Sequence, residues 1–178
     1  MLVRNKTHIK HTFRDHDDKG QQIAKFVCTT YWATQFQAVR HAFLKDSGTP
    51  ENASSGGNNG TSPSRFASER VKATIEKGYN KSLSTSNSWA VSGGKSGANF
   101  SKTSDDRFIV KCISRTELQM FLDCAPAYFK YMSKAFFQGL PTMLSKIVGV
   151  YQIGYHNRVS GKRTMEQVAV MQVSTSEI

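Results

Sequence analysis

Apolar positions along the chain follow two periods. THIKHTF (7–13) and KFVCTTYW (25–32) are β-branched and aromatic, and the polar stretch RDHDDKGQQ lies between them, so they predict a pair of strands. In ATQFQAVRHAFLKDSG the period changes: Phe36, Val39 and Phe43 recur at helical spacing, and Gly48 suits a helix end. FASERVKATIEKGYNKSL repeats that spacing through Phe66, Val71 and Ile75, with Lys77 and Gly78 as the expected stop. ANFSKTSDDRFIVKCI is two short apolar segments about a Ser-Asp-Asp turn, which predicts a hairpin. ISRTELQMFLDCAPAYFKYMSKAFFQGL carries Leu118, Phe121, Leu122, Ala125, Phe129, Met132 and Phe136 at helical spacings, predicting an amphipathic helix bent or broken at Pro126. KIVGVYQIGYHN and RTMEQVAVMQV, joined by the polar turn RVSGK, read as two more strands. Helices with an antiparallel sheet give an α+β class.

Residues 47–64, GTPENASSGGNNGTSP with its flanking serines, contain no large apolar side chain and cannot bury enough surface to offset their ordering entropy. They are expected to be a disordered insertion between residues 1–46 and 65–178. At 178 residues, 38% hydrophobic and 11% aromatic, the chain is sufficient for one domain with a core. Its formal charge of +11 favours anionic partners, and the excess divides almost evenly between the two halves, so no basic nucleic-acid-binding arm is indicated. Cys28, Cys112 and Cys124 are odd in number and form no CxxC pair, which excludes a disulfide framework or zinc knuckle as an expectation and fits a reducing, cytosolic setting. There is no apolar run of signal-peptide length and none of about 18 residues, so any membrane contact is expected to be peripheral. The sequons at Asn52 and Asn59 carry no weight in such a setting.

SGGKSGANF (92–100) has the tail of a phosphate-binding loop. The NTPase pattern GxxxxGK[ST] needs a glycine five positions before Gly94, where Trp89 stands, and a helix where the hairpin follows. The other geometry is a glycine-rich turn between antiparallel strands, whose small residues let backbone amides approach ATP phosphates. That arrangement requires a lysine on a following strand and a glutamate on the next helix. RFIVK ends in Lys111, and Glu117 opens the next helix. Ser114-Arg-Thr-Glu117 also matches a helix capping box, so the residues alone leave capping and lysine pairing open for Glu117. His8 and His11, three apart on a strand, point to opposite faces and make a poor metal pair. Cys112 reads as a buried small residue. Lys81, Lys95 and Lys102 either face anions or are simply solvated.

SGGKSGANF with DDRFIVK, RTELQMFLDCAPAYFKYM, KIVGVYQIGY and VAVMQ closely resembles the amino-terminal lobe of the phosphatidylinositol phosphate kinases, nearest to the PIKfyve type that converts phosphatidylinositol 3-phosphate into the 3,5-bisphosphate. The likeness covers residues 84–172, and KFVCTTYWATQFQAVRHAFL resembles the segment upstream of that lobe. The resemblance implies that Gly93, Gly94, Lys95, Ser96 and Gly97 cover the nucleotide. It makes Lys111 the phosphate-pairing lysine, Glu117 its helix partner and Met171 the start of the hinge. It also implies ATP with magnesium, a phosphoinositide lipid on a peripheral, endosomal membrane surface, and scaffold proteins of a lipid kinase complex, with no nucleic acid among the partners. Where the family reads Val-Met-Glu-Asn, this chain has Val170-Met171-Gln172-Val173. No segment resembles the family's Asp-Leu-Lys-Gly-Ser motif or its catalytic and metal-binding aspartates, so the carboxy-terminal lobe is expected to be absent, with the metal ligands, and the chain to be a fragment with weak or no catalysis. The alternative expectations are a non-catalytic binding or regulatory module and, on charge alone, a nucleic-acid-binding domain.

Overall fold

The computed structural model describes residues 7–44, 65–89, 99–142 and 144–173. The insertion expected at 47–64 and the glycine-rich residues Gly93, Gly94, Lys95, Ser96 and Gly97 lie outside the described residues. Strands β1 (Ile9–His16) and β2 (Gln22–Tyr31) precede helix α1 (Ala33–Phe43). Helix α2 (Arg65–Ser84), the short strands β3 (Ser86–Trp89) and β4 (Phe100–Thr103), strand β5 (Phe108–Ile113), helix α3 (Arg115–Phe137) and strands β6 (Ile147–Asn157) and β7 (Arg163–Gln172) follow. The strands form one antiparallel sheet in the order β1-β2-β6-β7-β5-β4-β3. The α+β class holds, as do both expected hairpins and the first strand pair.

Successive strand residues point to opposite faces, so register sorts the core into two layers. On one face Phe108, Val110, Tyr151 and Val170 meet Ile75, Tyr79 and Leu83 of α2. On the other, Val150, Ala169 and Ile113 meet Phe36 of α1 and Leu118, Phe121 and Phe129 of α3. A bulge between Ile147 and Gly149 inserts one residue opposite the step from Met171 to Val170. It turns Val148 toward the first layer while Val150 joins the second. Gly149 sits at the bend because nothing larger fits. A Cβ there would lie 2.6 Å from the Tyr151 ring and hydroxyl and 2.7 Å from the Tyr79 hydroxyl. Those two hydroxyls are hydrogen-bonded to each other at 2.9 Å, the Tyr79 ring is buried and the half-buried Tyr151 ring packs against the same layer, which leaves little room for either to give way. Gly149→Ala is expected to cost about 1–3 kcal/mol, the usual range for overpacking, measured as a drop in the urea midpoint at unchanged slope.

Several expectations need correction. The second helix does not stop at Lys77–Gly78 but runs to Ser84. A helical glycine costs about 1 kcal/mol, whereas burying a large side chain contributes roughly 1.5–3 kcal/mol. Tyr79, edge-on to Phe108, and Ser82 are both buried just past that point, so burial prevails. Val71, expected on the inner face, is exposed; Ile75 and Tyr79 carry the contact. Nor is the third helix broken at Pro126. It is continuous, because Leu118, Ala125 and Met132 form one buried stripe on either side of the proline, which faces outward. Phe136, near its end, is largely exposed. Strand β3 was not expected at all, since Ser-Asn-Ser-Trp has no alternation to read.

Arg40 is the most buried charge described. Its guanidinium grips both carboxylate oxygens of Glu76 on α2 at 2.9–3.1 Å, donates to the Val148 carbonyl at 2.8 Å and lies 4.7 Å over the Tyr79 ring. This one side chain joins α1, α2 and the bulged end of β6. Burial lowers the pKa of His41, which sits 3.2 Å from the same carboxylate, despite the pull of Glu76.

Candidate functional site

Strand β5 alternates Ile109, Lys111 and Ile113 on the α3 face with Phe108, Val110 and Cys112 on the α2 face. Lys111 stands opposite Phe100 of β4 on one side and Ala169 of β7 on the other. Ile109 stands opposite Met171. Lys111 and Met171, expected to serve one nucleotide, therefore lie on one face of adjacent strands, two positions apart in register. Gln172, the departure from the family's glutamate, pairs with Phe108 and so points its side chain to the opposite face.

The chain turns from β5 into α3 at Ser114, whose extended backbone makes it a helix cap. Its hydroxyl accepts from the Glu117 N–H at 3.1 Å, and its own N–H donates to Glu117 Oε2 at 2.7 Å, completing the capping box. The second carboxylate oxygen, Oε1, accepts from Lys111 Nζ at 2.9 Å. The two roles left open by the sequence are both present, one on each oxygen. Capping sets the carboxylate within reach of the strand lysine, and the lysine is drawn toward the start of α3.

Held by the Ser114 N–H first and the Lys111 ammonium second, the Glu117 carboxyl is lowered from 4.5 to about 2. A depressed carboxyl stabilises the fold fully above its unfolded value near 4.5, and the contribution is lost as the pH falls through about 2. Ser114→Pro suits the φ of −72° at that position and removes both the N–H and the hydroxyl. It is expected to raise the Glu117 pKa more than Lys111→Met does, read from carboxyl-carbon NMR titrations. A larger rise from Lys111→Met would reverse the ranking of the two contacts.

The glycine-rich residues fall in the connection between β3 and β4, whose strands are antiparallel with Trp89 opposite Phe100. The other sequence candidates do not join this group. His8 precedes β1, and its Nδ1 accepts from the Trp32 backbone N–H at 3.1 Å. His11 stacks on Phe13. Cys112 is half-buried on the α2 face, its thiol pushed up by burial and by Glu166, which suits no nucleophile. Lys102 pairs with Asp106 at 2.8 Å. Among the described residues no three His, Cys, Asp or Glu side chains gather as metal ligands, and no helix is long and apolar enough to cross a membrane. The network at Arg40 escaped the sequence reading, and only the helical spacing of Val39 and Phe43 around it hinted that Arg40 would be drawn inward.

Comparison with known proteins adds a second line of support. Residues 80–177 match the family described as Phosphatidylinositol-4-phosphate 5-Kinase. A 1-phosphatidylinositol 3-phosphate 5-kinase of Homo sapiens is 38% identical over 149 residues, 84% of this chain and 6% of the relative. A 1-phosphatidylinositol-3-phosphate 5-kinase of Arabidopsis thaliana is 37% identical over 148 residues, 83% of this chain and 7% of its own. One from Saccharomyces cerevisiae is 42% identical over 96 residues, 54% of this chain and 4% of its length. The chain thus spans only a small part of each of these relatives.

Proposed function

Since the chain belongs to the Phosphatidylinositol-4-phosphate 5-Kinase family, we propose that it forms the ATP-binding lobe of a 1-phosphatidylinositol-3-phosphate 5-kinase. The observation that carries the reading is the Lys111–Glu117 pair at the β5–α3 junction, on the face that also bears Met171. In this role Lys111 binds the nucleotide's phosphates, and Glu117, itself fixed by Ser114, keeps the ammonium from folding back along the strand. Gly93, Gly94, Lys95, Ser96 and Gly97 cover the phosphates with backbone amides. Ile109, Ala169 and Met171 provide an apolar surface for the base, whose polar edge is met by backbone groups of the hinge. The Gln172 substitution leaves those backbone groups in place.

Phosphoryl transfer further needs a positioned hydroxyl acceptor and divalent metal to offset developing charge. Among the described residues no three His, Cys, Asp or Glu side chains gather to hold magnesium. The lipid acceptor, phosphatidylinositol 3-phosphate, is proposed from the names of the relatives, and an endosomal membrane surface as its place only from the family resemblance. Titration of the 15N-labelled chain with ATP tests the reading. Amide shifts are expected on β4, β5 and β7 around Phe100, Lys111 and Ala169. Shifts confined to α2, or none at millimolar ATP, would contradict it.

A further inference from the structure

Lys81 was singled out in the sequence as a cation that could face an anion, and the nucleotide reading leaves it unused. In the fold it lines a cleft of about 650 Å³ between α2 and the β4–β5 turn, together with Lys77, Arg107 and Asp105. The cleft is on the α2 side of the sheet, opposite the face that bears Lys111.

Its charges are unbalanced. Asp105 accepts from the Ser82 and Thr103 hydroxyls, at 2.5 and 2.6 Å, and from the Arg107 N–H at 3.3 Å, so its carboxylate is committed to its own turn. Those bonds and the Arg107 charge hold its pKa down, so it stays ionised, against the opposing pull of burial. The Arg107 guanidinium is laid over the Phe108 ring at 5.2 Å. Lys77 and Lys81 have no carboxylate partner among the described residues. They lie four apart on α2, where like charges repel. Asp105 and Arg107 offset one another, and two lysines one helical turn apart remain on the lining of an open cleft. The neighbouring hydroxyls are spent on backbone carbonyls: Thr74 on Arg70, Thr85 on Ser82 and Ser104 on Thr85. What the cleft presents is positive charge with little directional hydrogen bonding, which selects for charge density over stereochemistry.

We propose that this cleft is a second anion site, separate from the nucleotide face, that takes a compact ligand carrying two or more phosphate groups. Such a ligand is either a phosphoinositide headgroup or a free polyphosphorylated anion. It is expected to bridge Lys77 and Lys81 from within the cleft, with Arg107 opposite.

The test uses the full 178-residue chain without ATP, which as a polyphosphate would itself compete for the cleft, and repeats each titration in Lys111→Met to separate binding at the nucleotide face. One arm titrates inositol hexakisphosphate in solution; the other, phosphatidylcholine vesicles containing phosphatidylinositol 4,5-bisphosphate. Lys77→Gln with Lys81→Gln is expected to weaken binding by roughly tenfold or more, as for lost charge-assisted contacts. Its thermal midpoint should be unchanged or raised, because a repulsion has been removed. Lys130→Gln with Lys134→Gln on α3 removes the same charge and is expected to change binding less than about twofold. Binding in solution assigns the site to free phosphates and binding only to vesicles assigns it to a headgroup; either supports the proposal. No binding in both arms, equal loss in the α3 variant, or tighter binding of duplex RNA through Lys77 and Lys81 would overturn it.

Discussion

Lys111→Met is expected to weaken ATP binding to the chain by about 10–100-fold while leaving its fold intact. A charge-assisted contact to phosphate is worth roughly 1.5–3 kcal/mol, and each 1.4 kcal/mol is a factor of ten. Methionine keeps most of the stem's apolar volume and loses only the ammonium. Among the described residues Lys111 holds one charged partner, Glu117, whose other oxygen is still bound to the Ser114 N–H after the change. The ion pair is partly exposed, so its loss should move the melting temperature little. Calorimetric titration with ATP alongside thermal melting separates the two effects. An unchanged affinity would remove Lys111 from the site, whereas a collapse of the melting temperature would make it structural.

The second large effect lies far from that lysine. Arg40→Met is expected to destabilise the chain by about 3 kcal/mol, because removing one member of a buried pair leaves the other charge and a carbonyl short of partners. Glu76 would lose its bidentate grip and the Val148 carbonyl its donor, and Tyr79 its stacked cation. For a chain of this size that is a fall of roughly 6–12 °C in melting temperature. The double variant Arg40→Met with Glu76→Leu removes both charges at once and is expected to recover a large part of the loss. If the double variant melts lower than the single one, the pair's desolvation is not what sets the cost.

Much of this was legible along the chain. β-Branched, aromatic and apolar residues in KFVCTTYW and VAVMQ reported strands, and Lys111 was legible as a charge inside an apolar strand. Glu117 was legible twice over, as cap and as partner, and the fold shows why a choice was unnecessary: a carboxylate has two oxygens. What local pattern did not carry was set by contacts distant in sequence. The second helix continues past Gly78 because Phe108, about thirty positions on, covers Tyr79. Strand β3 exists because β4 pairs with it, and its own residues say nothing of the sheet. Arg40 looks like any surface arginine until Glu76 and Val148 close over it.

Whether Lys111 meets the phosphates of ATP is tested most directly by protection. Amine acylation of the chain, with peptide mapping, reports each lysine separately. With ATP bound, labelling of Lys111 is expected to fall several-fold while Lys130 and Lys134 on α3 label as before. If Lys111 labels at the same rate with and without saturating ATP, its assignment to the nucleotide is wrong.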